Sequence, residues 1–182
     1  MRTKNLFKIV TIGLVSITSY AQSLEIGIKG GLNYANQTGS EIKTEAITSY
    51  HAGLYANFSL FKGVSVQPEL LYTTQGATYK NAIEEYKNEL GYISIPLLLK
   101  IDITKSLSLE LGPQAAFLLE DKDAFDPEDQ NTFDFSANAG IALKLTEKLG
   151  LQARYNAGLT EATKNAQIKN NVIQLSAYIQ VF

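Results

Sequence analysis

The stretch Tyr92–Ile103 reads YISIPLLLKIDI, and its period of two decides the fold class. Ile93, Ile95, Leu97, Leu99, Ile101 and Ile103 form an unbroken aliphatic row. Tyr92, Ser94, Pro96, Leu98, Lys100 and Asp102 alternate with them and carry a charge in mid-strand. Successive side chains of a strand point to opposite faces, so the stretch has one apolar wall and one more polar wall. After Thr104-Lys105-Ser106 a second run, Leu107–Leu119, sets Leu107, Leu109, Leu111, Ala115, Phe117 and Leu119 against Ser108, Glu110 and Gln114. Two strands of about ten residues, a tight turn and one greasy face predict a transmembrane β-hairpin.

The pattern continues on both sides. Strands are predicted over Leu24–Tyr34, Tyr50–Leu60, Val64–Gly76, Tyr92–Ile103, Leu107–Leu119, Phe133–Leu145, Leu149–Leu159 and Ile173–Val181. Short turns at Phe61-Lys62-Gly63, Thr104-Lys105-Ser106 and Thr146-Glu147-Lys148 alternate with polar loops over 36–48, 79–89, 120–132 and 160–170. The 79–89 piece has some helical character. The expectation is an all-β, eight-stranded antiparallel up-and-down transmembrane β-barrel of the outer-membrane type, with short periplasmic turns and long extracellular loops. Lipid offers no hydrogen bonds to the backbone, so the sheet must close.

The 182 residues suit one domain. Apolar residues make up 45% and charged ones 19%, little charge for a soluble domain. A net charge of −2 gives no reason to expect nucleic acid as a partner. The absence of cysteine excludes disulfides and thiolate metal sites. Residues 1–21 read as a cleaved signal peptide: Arg2, Lys4 and Lys8, then the apolar Ile9–Val15, then Ser19-Tyr20-Ala21 with small residues at the cleavage positions. Residues 22–182 form the barrel domain, exported to the cell outer membrane as a multi-pass barrel.

Alternation alone does not say which face is inside. The polar face is mild, mostly Ser, Gly, Gln, Asn and Thr, whereas a solvated face carries many Lys and Glu. Its charges balance, with Glu25, Glu69 and Glu110 against Lys29, Lys100 and Arg154. Confined charges need partners, so Lys29, Glu69, Lys100, Glu110 and Arg154 are predicted to form a structural ion network in the lumen. A turn centred on Lys105 puts Lys100 opposite Glu110. Tyr34, Tyr50, Tyr72, Phe117, Phe133 and Phe135 gather on the apolar face toward the long-loop ends, as an interfacial girdle does. A soluble lipocalin-like carrier would alternate too, with its apolar face inside.

Several pieces resemble the PorT-like outer-membrane β-barrel proteins of Bacteroidetes: Gly27–Asn33 (GIKGGLN), His51–Phe58 (HAGLYANF), Gln67–Tyr72 (QPELLY), Tyr92–Lys100 (YISIPLLLK), Leu111–Gln114 (LGPQ) and, less well, Val172–Phe182 (VIQLSAYIQVF). The resemblance implies outer-membrane location and the eight-stranded fold. Some members of that family look linked to type IX secretion and gliding. Barrel-assembly signals put a terminal aromatic in phase with the outward face. Phe182 is one residue out of that phase, so it serves as an assembly signal only with a terminal bulge. Pro68, Pro96 and Pro113 lie within predicted strands, where each removes a ladder donor, so bulges or irregular pairing are expected there.

Candidate chemistry is sparse. His51 is the only histidine, predicted inward near Thr73 and Ser49, and neither HExxH nor GxSxG occurs. Glu69 and Glu110 could pair as hydrolytic acids, but Lys100 and Arg154 in the same narrow lumen favour an ion network. Glu120, Asp121, Asp123, Asp126, Glu128 and Asp129 could hold a hard cation, yet they lack the ligand-and-glycine spacing of a calcium loop. Eight strands enclose a lumen just wide enough for side chains, here bulky ones such as Tyr55, Tyr92, Leu98, Arg154 and Tyr178. The sequence therefore predicts a plugged, monomeric, non-enzymatic structural or interaction protein without a cofactor. Its expected partners are outer-membrane lipid, the barrel-assembly machinery and envelope or extracellular proteins met through the four loops. The alternatives are a component of a secretion or gliding machine and a narrow-pore or small-ligand transport barrel.

Overall fold

Eight strands alternate along the chain: β1 (Leu24–Thr38), β2 (Thr44–Phe61), β3 (Val64–Lys80), β4 (Glu85–Asp102), β5 (Leu107–Asp121), β6 (Phe133–Lys144), β7 (Leu149–Gly158) and β8 (Lys169–Gln180). They come from a computed structural model that describes residues 24–38, 44–80, 85–121, 132–160 and 169–182. The signal peptide read over 1–21 lies outside the described residues, as do 122–131 of the acidic loop and 161–168 of the last loop. Each strand pairs antiparallel with the next, and β8 returns to β1 with Gly31 opposite Ser176, which closes the barrel.

The aliphatic rows point outward. Ile28, Leu54, Leu97, Leu111, Ile141, Leu151 and Leu175 are all exposed, while Lys29, Glu69, Glu110, Gln152 and Arg154 are buried in the lumen. This is the reverse of a lipocalin, and it gives the wall a continuous apolar outer face.

Parts of two predicted loops, 36–38 with 44–48 and 79–80 with 85–89, prove to be strand. β1 and β2 continue past the apolar rows, with Ala35 opposite Ile47. Of the 79–89 piece, read with helical character, the described residues 79–80 and 85–89 extend the β3–β4 hairpin, with Gly76 opposite Glu89 and Lys80 opposite Glu85. No continuous outward apolar row marks these strand ends in the sequence, because outside the lipid a ladder needs no apolar wall to continue.

The short turns share a device. Thr104 Oγ1 accepts from the backbone N–H groups of Ser106 and Leu107 at 3.2 and 3.0 Å. Thr146 Oγ1 does the same for Lys148 and Leu149 at 3.3 and 3.0 Å. A Thr-x-x-Leu segment thus closes both turns with a hydroxyl in place of a backbone acceptor. The remaining turn uses Gly63 at φ 77°, a left-handed conformation that suits glycine.

The prolines interrupt the ladder without shifting it. Pro68 pairs with Leu97, Pro96 with Gln114 and Pro113 with Ala137. On the opposite side of each proline the pairing lapses, and the same register resumes beyond. The missing N–H weakens one side of a strand and leaves the other intact, so the irregularity expected at the prolines takes the form of gaps in one ladder rather than bulges. A bulge does occur at the end of the chain. Val181 and Phe182 both donate their N–H to Ile26 O, at 2.8 and 3.1 Å, and Ile26 N donates to Phe182 O at 3.1 Å. This bulge leaves both Val181 and Phe182 exposed.

Close strand approach depends on glycine. A Cβ on Gly31 would lie 1.9 Å from Leu175 O on β8. Gly31→Ala is therefore expected to destabilise the barrel by about 1–3 kcal/mol through overpacking at the closing seam. The check is a lower urea midpoint for the folded variant in lipid vesicles; an unchanged midpoint contradicts the seam argument.

Candidate functional site

The lumen holds a buried charge cluster drawn from distant strands. Arg154 on β7 spans both oxygens of Glu69 on β3, with Nη1 to Oε2 at 2.9 Å and Nη2 to Oε1 at 2.8 Å. Its Nη2 also donates to Glu110 Oε2 on β5 at 3.1 Å. Lys29 on β1 donates to both Glu69 oxygens at 3.2 Å. Gln67 Nε2 adds a bond to Glu69 Oε1 at 2.8 Å. Gln152 links the halves: its amide oxygen accepts from Lys29 and its amide nitrogen donates to Glu110. Two cations face two carboxylates, so the cluster is neutral as a whole. Desolvation of these charges is offset only because each has several partners.

Lys100 stands apart from this cluster, contrary to the sequence expectation. It is opposite Glu110 in register, as the turn at Lys105 requires. Its ammonium instead lies 5.7 Å from the centroid of the Tyr178 ring, and it makes no ion pair among the described residues. Arg154 and Gln152 hold Glu110 through Oε2 while its Oε1 is buried without a partner, so being opposite in register does not by itself bring the Lys100 ammonium to the carboxylate. Lys100 is left on the short-turn side of the cluster.

On the long-loop side lies a hydrogen-bonded group around His51. Asn33 Nδ2 shares its two N–H groups among Tyr50 O, Thr73 Oγ1 and Thr74 O at 3.1, 2.9 and 2.8 Å, which fixes Asn33 Oδ1 as an acceptor. His51 Nδ1, 2.7 Å away, must donate to it. Nε2 is then free to accept the Ser176 hydroxyl at 2.8 Å. Sequence reasoning paired His51 with Thr73, its neighbour in register, and missed Ser176 and Asn33. Asn33 lies on β1, two residues from the Gly31 that is opposite His51, so the β1–β2 hairpin alone brings it near. Ser176 lies across Gly31, which is opposite both His51 and Ser176 and has no side chain to separate them, and only the β1–β8 closure brings it to the histidine. A Ser–His–Asn row has the order of an activated nucleophile. Here Ser176, His51 and Asn33 are 5%, 1% and 0% exposed, so an acyl substrate does not reach the hydroxyl.

Above these polar layers, inward apolar groups narrow the lumen: Ala35, Ile47 and Val172 on one side, Leu90, Tyr92, Ala116 and Leu118 on the other. Ile47 and Leu90 escaped the sequence analysis because they fall in or beside segments read as loop. Asp134, also buried, accepts from Thr160 Oγ1 at 2.8 Å and Asn170 Nδ2 at 3.0 Å, tying β6 to β8 near the long-loop mouth.

The aromatic residues selected from the sequence lie on the outer wall. Tyr34, Tyr50, Phe117, Phe133 and Phe135 are exposed and Tyr72 is half-buried. Tyr50 and Tyr72 have centroids 6.1 Å apart, and Phe117 and Phe133 5.4 Å. They flank the long-loop ends of β1, β2, β3, β5 and β6, where an aromatic ring suits a membrane–water boundary.

The fold is similar to that of Neisserial surface protein A, with a TM-score of 0.61 at 12% identity over 85% of this chain and 96% of that one. It is also similar to Ail, the attachment invasion locus protein of Yersinia pestis, with a TM-score of 0.57 at 14% identity over 87% of this chain and 99% of that one. OprG from Pseudomonas aeruginosa gives 0.52 at 14% identity over 87% and 94%. At these identities the likeness is one of fold. No curated protein sequence matches the chain. A family model described as an outer membrane protein beta-barrel domain matches residues 20–164. The closed eight-stranded wall, its apolar outer face and that match lead to one conclusion: the chain belongs to the outer membrane protein beta-barrel domain family.

Proposed function

We propose that the protein is a non-enzymatic structural or interaction barrel of the PorT-like type, exported by residues 1–21 and anchored by its wall. The observation that carries this reading is the Lys29–Glu69–Arg154–Glu110 cluster, which fills the lumen with mutually paired side chains. A lumen so filled is a strut rather than a passage, because eight strands leave no second route beside it. Function then falls to the parts outside the lipid: the extended β1–β2 and β3–β4 hairpins and the two remaining long connections. The acidic run of Glu120, Asp121, Asp123, Asp126, Glu128 and Asp129 favours a partner with a basic surface.

The test uses the protein in isolated outer membranes and in planar bilayers. Migration on a denaturing gel is expected to shift on boiling, and bilayers should show no stepwise conductance. Deleting 122–131 and 161–168 together should preserve the shift and abolish crosslinking to partner proteins. Stepwise conductance by the wild-type protein would favour the narrow-pore alternative. Loss of the shift on loop deletion would show that the loops serve the fold instead.

A further inference from the structure

Two neighbouring rows of the lumen wall collect buried polar atoms that find no partner in the protein. The first row runs Glu110, Gly140, Arg154 and Gln174 across β5 to β8, each residue opposite the next in register. In it Glu110 Oε1 and Arg154 Nε are both buried and unmet. Arg154 Nη2 already reaches Glu110 Oε2 at 3.1 Å, so the unmet donor and the unmet acceptor belong to two groups that are themselves bonded. Gly140 stands between them and has no side chain to separate them. Gln174 Oε1, on the residue opposite Arg154, is a further unmet acceptor. The second row lies one step toward the long loops, where Asn138 and Asn156 are opposite each other and the Oδ1 of each is unmet. Glu110, Arg154, Asn138 and Asn156 are all 4% exposed or less.

The balance of donors and acceptors narrows the occupant. Gln174 Nε2 donates to Asn33 Oδ1 at 3.1 Å and Asn138 Nδ2 to Gln114 Oε1 at 3.5 Å, which assigns the oxygen end of each amide. The unmet oxygens can only accept, and Arg154 Nε can only donate. An anion in these rows would meet the oxygens and the Glu110 carboxylate. A bare cation would sit against the Arg154 guanidinium, which stays protonated. Water both accepts and donates, and buried polar groups that the protein leaves unmet are ordinarily met by ordered water. We propose that the two rows hold two buried waters. The first accepts from Arg154 Nε and donates to Glu110 Oε1, with its second hydrogen available to Gln174 Oε1. The second donates one hydrogen to Asn138 Oδ1 and the other to Asn156 Oδ1. These waters complete the polar packing of the lumen and do not depend on what the loops bind.

The test is a crystal structure of the full chain in detergent, at a resolution that shows ordered water, together with water–protein cross-relaxation NMR in micelles. Two density peaks are expected. One should lie within about 3.2 Å of both Arg154 Nε and Glu110 Oε1, the other within about 3.2 Å of both Asn138 Oδ1 and Asn156 Oδ1. The Arg154 Nε proton should show a cross-peak to water with the sign of a rigidly held molecule. Asn156→Leu should remove the second peak, leave the first and retain the gel shift on boiling. A direct bond from Arg154 Nε to Glu110 Oε1, or between the two asparagine amides, with no density beside it would overturn the water at that row. A peak with contacts of about 2.4 Å to several oxygens would be a cation and would overturn the assignment to water. No cross-peak at the Arg154 Nε proton would count against the first water. The wild-type measurements decide the matter even if the variant does not fold.

Discussion

Arg154→Met is expected to lower the stability of the barrel by about 3–5 kcal/mol, the usual consequence of removing one partner from a buried ionic cluster. Arg154 makes both guanidinium bonds to Glu69 and one to Glu110, and it is 2% exposed. Without it, two carboxylates remain in the lumen with Lys29 as the only cation of the cluster. The cost comes less from the lost bonds than from the stranded negative charge. The double substitution Arg154→Met with Glu110→Gln removes one of each sign and should recover a substantial part of the loss. Urea midpoints of protein folded into lipid vesicles measure both. A loss below about 1 kcal/mol for the single variant, or no recovery in the double, would mean that the cluster does not hold the wall together.

Leu97→Arg should cost about 2–4 kcal/mol, the expected penalty for a cation on the lipid face near the bilayer midplane. Leu97 is 50% exposed on the outer wall of β4, beside Pro68 on β3. If the outer face met water, the same substitution at an exposed site would fall within about 0.5 kcal/mol of neutral. The experiment therefore separates a lipid-facing wall from a wet one by its size alone. Leu97→Met serves as the control, since an apolar replacement of similar volume should change little.

How far the sequence could be read depends on which environment selects the side chains. Lipid on one side and a packed lumen on the other impose strict alternation, so the rows through Ile95, Leu97 and Leu99, and through Leu107, Leu109 and Leu111, were legible as outward faces. The short turns were legible for the same reason, since Lys100 opposite Glu110 follows from a hairpin centred on Lys105. Where the strands rise beyond the lipid this selection ends. Thr44–Ser49 and Glu85–Leu90 carry no alternating apolar row, although the ladder continues through them.

By itself the sequence determined the strand count, the antiparallel order, the outward apolar wall and the balance of lumen charge, because each is a local pattern repeated in every strand. Only the tertiary structure decided which charges meet. Glu69 and Arg154 are 85 residues apart and His51 and Ser176 are 125 apart. Their contact depends on β8 closing onto β1 and on the stagger of all eight strands around the lumen. The same closure gave Glu110 to Arg154 and left Lys100 over Tyr178. A period of two fixes the face of a side chain, but its height and angle around a closed barrel follow from the shear, which no single strand encodes.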